Sequence, residues 1–179
     1  MSKFKMNIQK YFFLSLLVIL VGILMLPMSK KININEGSTI YRNTDTTFSE
    51  ECTISIKGRY YNYLLKRDKF EGEIFILSER FTYENNSLDV EFVDGRGMLD
   101  IDLNVEAETK FSTFGDIIID EDFDEVLILI GERHENGGTS WSGSDGKFMT
   151  ISSLNRAKSI EIAIKLSQQT KWLSTNNWK

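Results

Sequence analysis

The sequence predicts an α+β protein: an N-terminal single transmembrane helix, then an antiparallel β domain with a C-terminal helix packed on it. Three observations carry that expectation. Tyr11 to Met28 is an uncharged, apolar run with Lys3, Lys5 and Lys10 before it and Lys30 and Lys31 after it. Most of the remaining chain, from Cys52 to Ser152, breaks into strand-length segments whose apolar residues alternate with polar ones. One helical pattern closes the domain, and with no βαβ alternation the class reads as α+β rather than α/β.

As a helix, the run from Tyr11 would rise about 27 Å, close to a hydrocarbon core of about 30 Å. It ends Leu24-Met25-Leu26-Pro27-Met28-Ser29-Lys30, without the small residues a signal peptidase reads. The only cysteine is Cys52, so no lipid-attachment cysteine follows it. The expectation is an uncleaved signal anchor, with a cleaved and secreted product as the alternative. The lysines before the run outnumber those just after it. The positive-inside rule then predicts a cell-membrane, single-pass protein with a cytoplasmic N-terminus and an extracytoplasmic domain. The organisation expected is a cytoplasmic N-terminus over 1–10, a transmembrane helix over 11–28 and a juxtamembrane linker over 29–37. A β-rich domain over 38–170 and a polar tail over 171–179 complete it.

All 26 acidic residues but only 16 of the 21 basic ones lie after Lys31, so that part carries a net −10. An acidic domain repels phosphate backbones, which argues against nucleic acid as a partner. One cysteine makes no internal disulfide, and one proline in 179 residues leaves no Pro-rich stalk.

In order, Thr39 to Asn43 reads as a short first strand. Cys52, Ile54 and Ile56 share one parity and Tyr61, Tyr63 and Leu65 the other, so a bulge or bend is expected at Gly58. Phe70 to Leu77 comes after a charged turn. Leu88, Val90 and Phe92 alternate with Asp89 and Glu91. After Asp94-Gly95-Arg96-Gly97, Leu99, Ile101, Leu103 and Val105 alternate with Asp100, Asp102 and Asn104. This is a β-hairpin with one wet face, read with Gly95 and Arg96 at the centre of a type II′ turn. Phe111 to Ile119 is a strand, and Asp120 to Glu125 an acidic loop. Val126 to Ile130 is a continuous apolar run, the mark of a strand buried on both faces. Phe148 to Ser152 is the last strand. Ser153 to Asn155 caps a helix running to about Gln169.

The stretch Cys52 to Ile76, the segment Phe114-Gly115-Asp116 and the run Trp141-Ser142-Gly143-Ser144-Asp145-Gly146 before a final helix resemble small, uncharacterised membrane-anchored exported proteins of low-GC Gram-positive bacteria. That resemblance implies a location in the cell envelope. It brings no functional residues.

Candidate sites are few. His134 is the only histidine, so with Cys52 far away no Cys/His metal cluster forms, and Cys52 sits on the apolar parity of its strand as an inert thiol. Asp120, Asp122 and Asp124 open like a calcium loop, but an EF-hand needs glycine sixth and glutamate twelfth, where Glu125 and Gly131 stand. On the hairpin, the expected register sets Glu91 against Asp100 and Asp89 against Asp102. Like charges there need an offset, either basic neighbours such as Lys57, Arg59 or Lys66 or a divalent cation. The Gly/Ser-rich stretch around Trp141 lacks the lysine of a phosphate loop. It is either a packed hairpin loop or a binding loop with Trp141 as its anchor.

The function expected is a membrane-tethered extracytoplasmic domain with a non-enzymatic binding or accessory role in the cell envelope. It needs no cofactor unless a divalent cation, and its partner is an envelope protein or polymer besides the membrane. The alternatives are a hydrolase built on two carboxylates and a pilin-like subunit. No pilin-type glycine cleavage site or early helix glutamate precedes Val21.

Overall fold

The computed structural model describes residues 2–101, 112–134, 139–151 and 153–170. Its elements are α1 (Ser2–Leu24), β1 (Met28–Arg42), β2 (Ser49–Asn62), β3 (Asp68–Ser78), β4 (Thr82–Phe92) and β5 (Arg96–Ile101), then β6 (Ser112–Ile119), β7 (Val126–Ile130), β8 (Glu132–Arg133), β9 (Thr139–Ser140), β10 (Lys147–Thr150) and α2 (Arg156–Gln169).

Eight strands form one antiparallel sheet in the order β4-β3-β2-β1-β10-β7-β6-β5. Apart from the small β8–β9 hairpin, each strand lies beside its neighbour in sequence, and the last returns to the first. The sheet therefore wraps up and down towards a barrel. Its seam lies between β4 and β5. It closes at the tight turn, where Val93 and Arg96 exchange two backbone hydrogen bonds of 2.8 and 3.1 Å. Further along, among the described residues, side chains span it: Tyr83 Oη donates to the Asp100 carbonyl at 3.1 Å.

The expected fold class needs correcting. Among the described residues the protein is mostly β, a nearly closed eight-stranded sheet with two helices, rather than an α+β domain on a transmembrane helix. Among the described residues no helix is long and apolar enough to cross a membrane. The reason lies in where the apolar run is divided. α1 stops at Leu24, Met25 to Pro27 turn, and Met28 already belongs to β1. The helix begins in polar sequence, so its apolar length is Tyr11 to Leu24, about 21 Å against the ~30 Å a span requires. The transmembrane segment, the signal anchor and the single-pass localisation expected from it fall together.

β1 is also longer than expected. Its residues from Met28 onward pair with β2 through the stretch expected as a linker. There is no parity change at Gly58, because Cys52, Ile54, Ile56 and Tyr60 all face the interior. Gly58 instead sits opposite Gly72. A Cβ at Gly58 would lie 2.8 Å from the Gly72 Cα and from the Phe70 ring, so the two glycines let the ring cover bare backbone. The irregularity falls on the next pair, between Gly72 and Ile74 against β4.

The wall has two characters. β1 to β4 are 15, 14, 11 and 11 residues long and keep a wet outer face. β7 is buried along its whole length, as its apolar run predicts. α2 lies outside this short wall and packs Ile162, Ala163 and Leu166 on Tyr41, Ile118, Leu127, Leu129 and Phe148. Asn155 is the N-cap, accepting from the Ala157 and Lys158 amides at 2.8 and 3.4 Å.

Candidate functional site

The two ends of the barrel differ in chemistry. One end is plugged. Phe123 enters it from the Asp120–Glu125 loop and packs on Phe70 at 5.4 Å, Tyr60 at 5.5 Å and Phe92 at 6.4 Å between ring centroids. The loop is folded to deliver that ring. Phe123 has φ +59°, and Asp120 Oδ1 accepts from the Asp124 and Glu125 amides at 2.7 and 3.1 Å.

The carboxylates of this loop do not converge on a cation position. Lys30 donates to the Asp122 carbonyl and pairs with Asp124 at 2.7 Å, and Lys165 pairs with Glu125 at 2.6 Å. The Asp124 hydrogen bond is the largest cause that raises the Lys30 pKa.

The hairpin carboxylates are likewise answered by lysine and arginine. The turn is centred on Asp94-Gly95, with φ +50° and +75°, a type I′ geometry one step from the expected centre. Beyond Val93 and Arg96, β4 pairs with β3 and β5 with β6, so no ladder of facing acids forms among the described residues. Asp89 meets Lys69 at 2.9 Å and Glu91 meets Arg67 at 3.3 Å. The offset comes from β3 and its preceding turn rather than from Lys57, Arg59 or Lys66. Lys57 pairs with Glu73 at 3.4 Å. Hydrogen bonds to Glu71 first, then Asp89, push the Lys69 pKa up. Asp100 is exposed, and Asp102 lies outside the described residues. Among the described residues no three His, Cys, Asp or Glu side chains gather so as to hold a metal.

The remaining candidates are structural in their surroundings. Cys52 is buried, and burial pushes its thiol up to about 11. Trp141 is half-buried on the α2 side of the wall, and its Nε1 donates to the Lys147 carbonyl at 2.9 Å. His134 Nε2 lies 2.5 Å from Ser140 Oγ across the β8–β9 hairpin. Both are exposed, and among the described residues no carboxylate orients the imidazole, so the pair lacks what an activated serine requires.

The other end of the barrel is a mouth. Here β1, β3, β5 and β7 leave and β2, β4, β6 and β10 enter. Phe81 and Tyr83 on the β4 side reach across the unpaired seam to Phe114 on β6. Tyr83 and Phe114 stack at 4.1 Å between centroids, and Phe81 lies 5.6 Å from Phe114. A bulge between Leu99 and Asp100, opposite Phe114, interrupts the β5–β6 pairing here. Gly131 N–H donates to the Phe114 carbonyl at 2.9 Å. The result is a cleft of about 780 Å³, walled by Phe81, Tyr83 and Phe114 with Glu84, Glu132 and Lys147 at its edge. Beside it, Phe48 carries Arg42, Arg80 and Lys147 at 5.4 to 5.9 Å from its ring.

These cations are balanced. Arg42 bridges Glu132 at 2.8 Å and Asp145 at 2.7 Å, and Arg80 lies 3.5 Å from the buried Glu50. Burial is the main reason Tyr83 holds its proton up to about 12. A comparable groove over Gly58 and Gly72, about 620 Å³, is edged by Lys57, Glu71, Glu73 and Asp89 and offers little apolar surface.

Sequence reasoning missed this mouth. Phe48, Phe81 and Tyr83 sit in segments to which the sequence assigns no strand, and Phe114 looks like an ordinary residue of the strand expected over Phe111 to Ile119. The available signal was an aromatic at each of two strand junctions, Phe48 and Phe81, in otherwise polar turns.

Compared with known proteins, the chain matches no family model, no curated protein and no solved structure.

Proposed function

We propose that the protein is a non-enzymatic binding module whose barrel mouth takes a small amphipathic ligand, apolar in its body and polar at one end. The observation that carries this reading is the cleft between Phe81, Tyr83 and Phe114, in the size range of small-molecule sites and mostly apolar with a few polar groups converging on it. An eight-stranded barrel is just wide enough to be filled by side chains or to hold one small ligand. Here the interior is filled, so the space lies at the rim. Glu132 and Lys147 face each other at 3.6 Å at the edge, where a polar end would meet them. The two-carboxylate hydrolase has no comparable support: Glu132 is committed to Arg42 and Lys147, and exposed Glu84 accepts from Asn86 at 3.0 Å.

Fluorescence titration with an aryl sulfonate tests the reading. Phe81→Asp places a charge on the cleft wall and is expected to weaken saturable binding about tenfold or more, the cost of ~1.4 kcal/mol. Phe13→Asp, on the exposed α1, is expected to leave that binding phase intact. Loss by Phe13→Asp with no effect of Phe81→Asp contradicts the assignment.

A further inference from the structure

We propose that the outer half of β1 is a self-association edge, pairing antiparallel with the same strand of a second copy in the register that sets Asn33 opposite Asn33. The starting point is an imbalance in pairing. On one side β1 is matched to β2 from Met28 to Tyr41, and on the other it meets β10 only at Ile40 to Arg42. The last tie to β10 is Ser38 Oγ, which donates to the Thr150 carbonyl at 2.8 Å, and further out only the Lys30 side chain reaches over, to Asp124, among the described residues. Beyond it the strands part. From Ser29 to Gly37, among the described residues, no backbone hydrogen bond leaves the strand on the side away from β2. Such a row of N–H and C=O groups is a template for another strand.

The side chains decide which strand. Lysines on an edge ordinarily discourage pairing, and Lys30 and Lys31 stand here. A two-fold axis perpendicular to the sheet requires facing residues of equal parity, since these point to the same face. With Asn33 on the axis, Ile32 faces Ile34, Lys31 faces Asn35 and Lys30 faces Glu36. Lys31 then meets an amide, and Lys30, which keeps Asp124 as its own partner, has a carboxylate rather than a second lysine across from it. Glu36 is exposed and makes no ion pair among the described residues, so it is free to take this role. Ile34 is half-buried at the margin of the core, and the pairing extends its cover. The occupant that fits this edge is thus a second copy of this chain, with a sheet running β2-β1-β1-β2 across the two copies.

Disulfide trapping of the full chain reads the register directly. Opposed Cα atoms of antiparallel strands lie about 4.5–5.5 Å apart, within disulfide range. Asn33 is exposed, so Asn33→Cys leaves the core untouched. On mild oxidation it is expected to shift from 20.7 kDa to twice that mass on a non-reducing gel. Asn35→Cys, whose own copy sits about 14 Å away in this register, is expected to remain at the monomer mass. The double variant Lys31→Cys with Asn35→Cys is expected to cross-link again. Absence of the Asn33→Cys dimer overturns the proposal. So does equal cross-linking by Asn33→Cys and Asn35→Cys, which would mean that copies meet without register, through α1 or otherwise. Thermal melts of the single variants matching the parent exclude misfolding as the cause of either result.

Discussion

The plugged end and the mouth of this barrel use the same kind of residue to opposite effect. At the plugged end Phe123, Tyr60, Phe70 and Phe92 are at most 4% exposed, and the rings meet one another from four separate segments. At the mouth Phe48 and Phe81 stay partly exposed while Tyr83 and Phe114 are buried beneath them. The difference comes from the strands. At the plugged end the seam is closed by Val93 and Arg96, and a loop delivers one ring into the gap. At the mouth the seam is open, so Tyr83 of β4 and Phe114 of β6 stack across it and leave a cleft. Aromatics make a core where the backbone pairs around them, and a surface where it does not.

Deleting a ring at each end is expected to separate these roles by the largest margin. Phe123→Ala removes a fully enclosed ring and leaves a cavity, costing about 3–5 kcal/mol. Phe48→Ala removes a half-exposed ring with its cation contacts, at about 1 kcal/mol. Urea unfolding of both variants measures the gap. Equal losses would mean that the mouth is as much a core as the plug.

A smaller effect is expected in alkali. Burial raises Tyr83 to about 12 and Cys52 to about 11. Tyr60 is also pushed up, by burial first and by its hydrogen bond to Asp68 second. Each group holds its proton in the folded chain over a range where the unfolded chain has lost it. Stability is therefore fully present below about pH 9 and falls as pH rises through the folded values. Tyr83→Phe is expected to cost about 1 kcal/mol at neutral pH, through the lost bond to Asp100, and to recover about 1–2 kcal/mol of the alkaline loss. Thermal melts from pH 8 to 11 check this. An unchanged alkaline slope in Tyr83→Phe would place the loss elsewhere.

The sequence was most legible where structure is local. Val126 to Ile130 announced a doubly buried strand by being apolar at every position, and Asn155 announced the start of α2. The Asp94-Gly95 turn was visible, but its centre was misplaced by one residue because facing Phe92 with Leu99, Val90 with Ile101 and Leu88 with Leu103 competed with the turn chemistry. That β10 returns to β1 was not legible, because residues more than 100 apart in sequence carry no mutual signal in one chain. Phe123 was hidden by its company, a single ring among acids that reads as solvent-facing loop. The N-terminal run misled for a different reason. Its hydropathy is continuous through Met28, while its secondary structure changes at Leu24. Of the candidate site residues, the carboxylates were visible but their partners were not, since Lys30 and Asp124 lie 94 residues apart.

Amide chemical-shift mapping during titration of the full chain with an aryl sulfonate tests the mouth assignment most directly. Saturable shifts are expected at Phe81 to Glu84, Phe114, Ile130 to Glu132 and Lys147, with the amides around Tyr60, Phe92 and Phe123 unmoved. Shifts confined to Lys10 to Leu26, or centred on the plugged end, would contradict it.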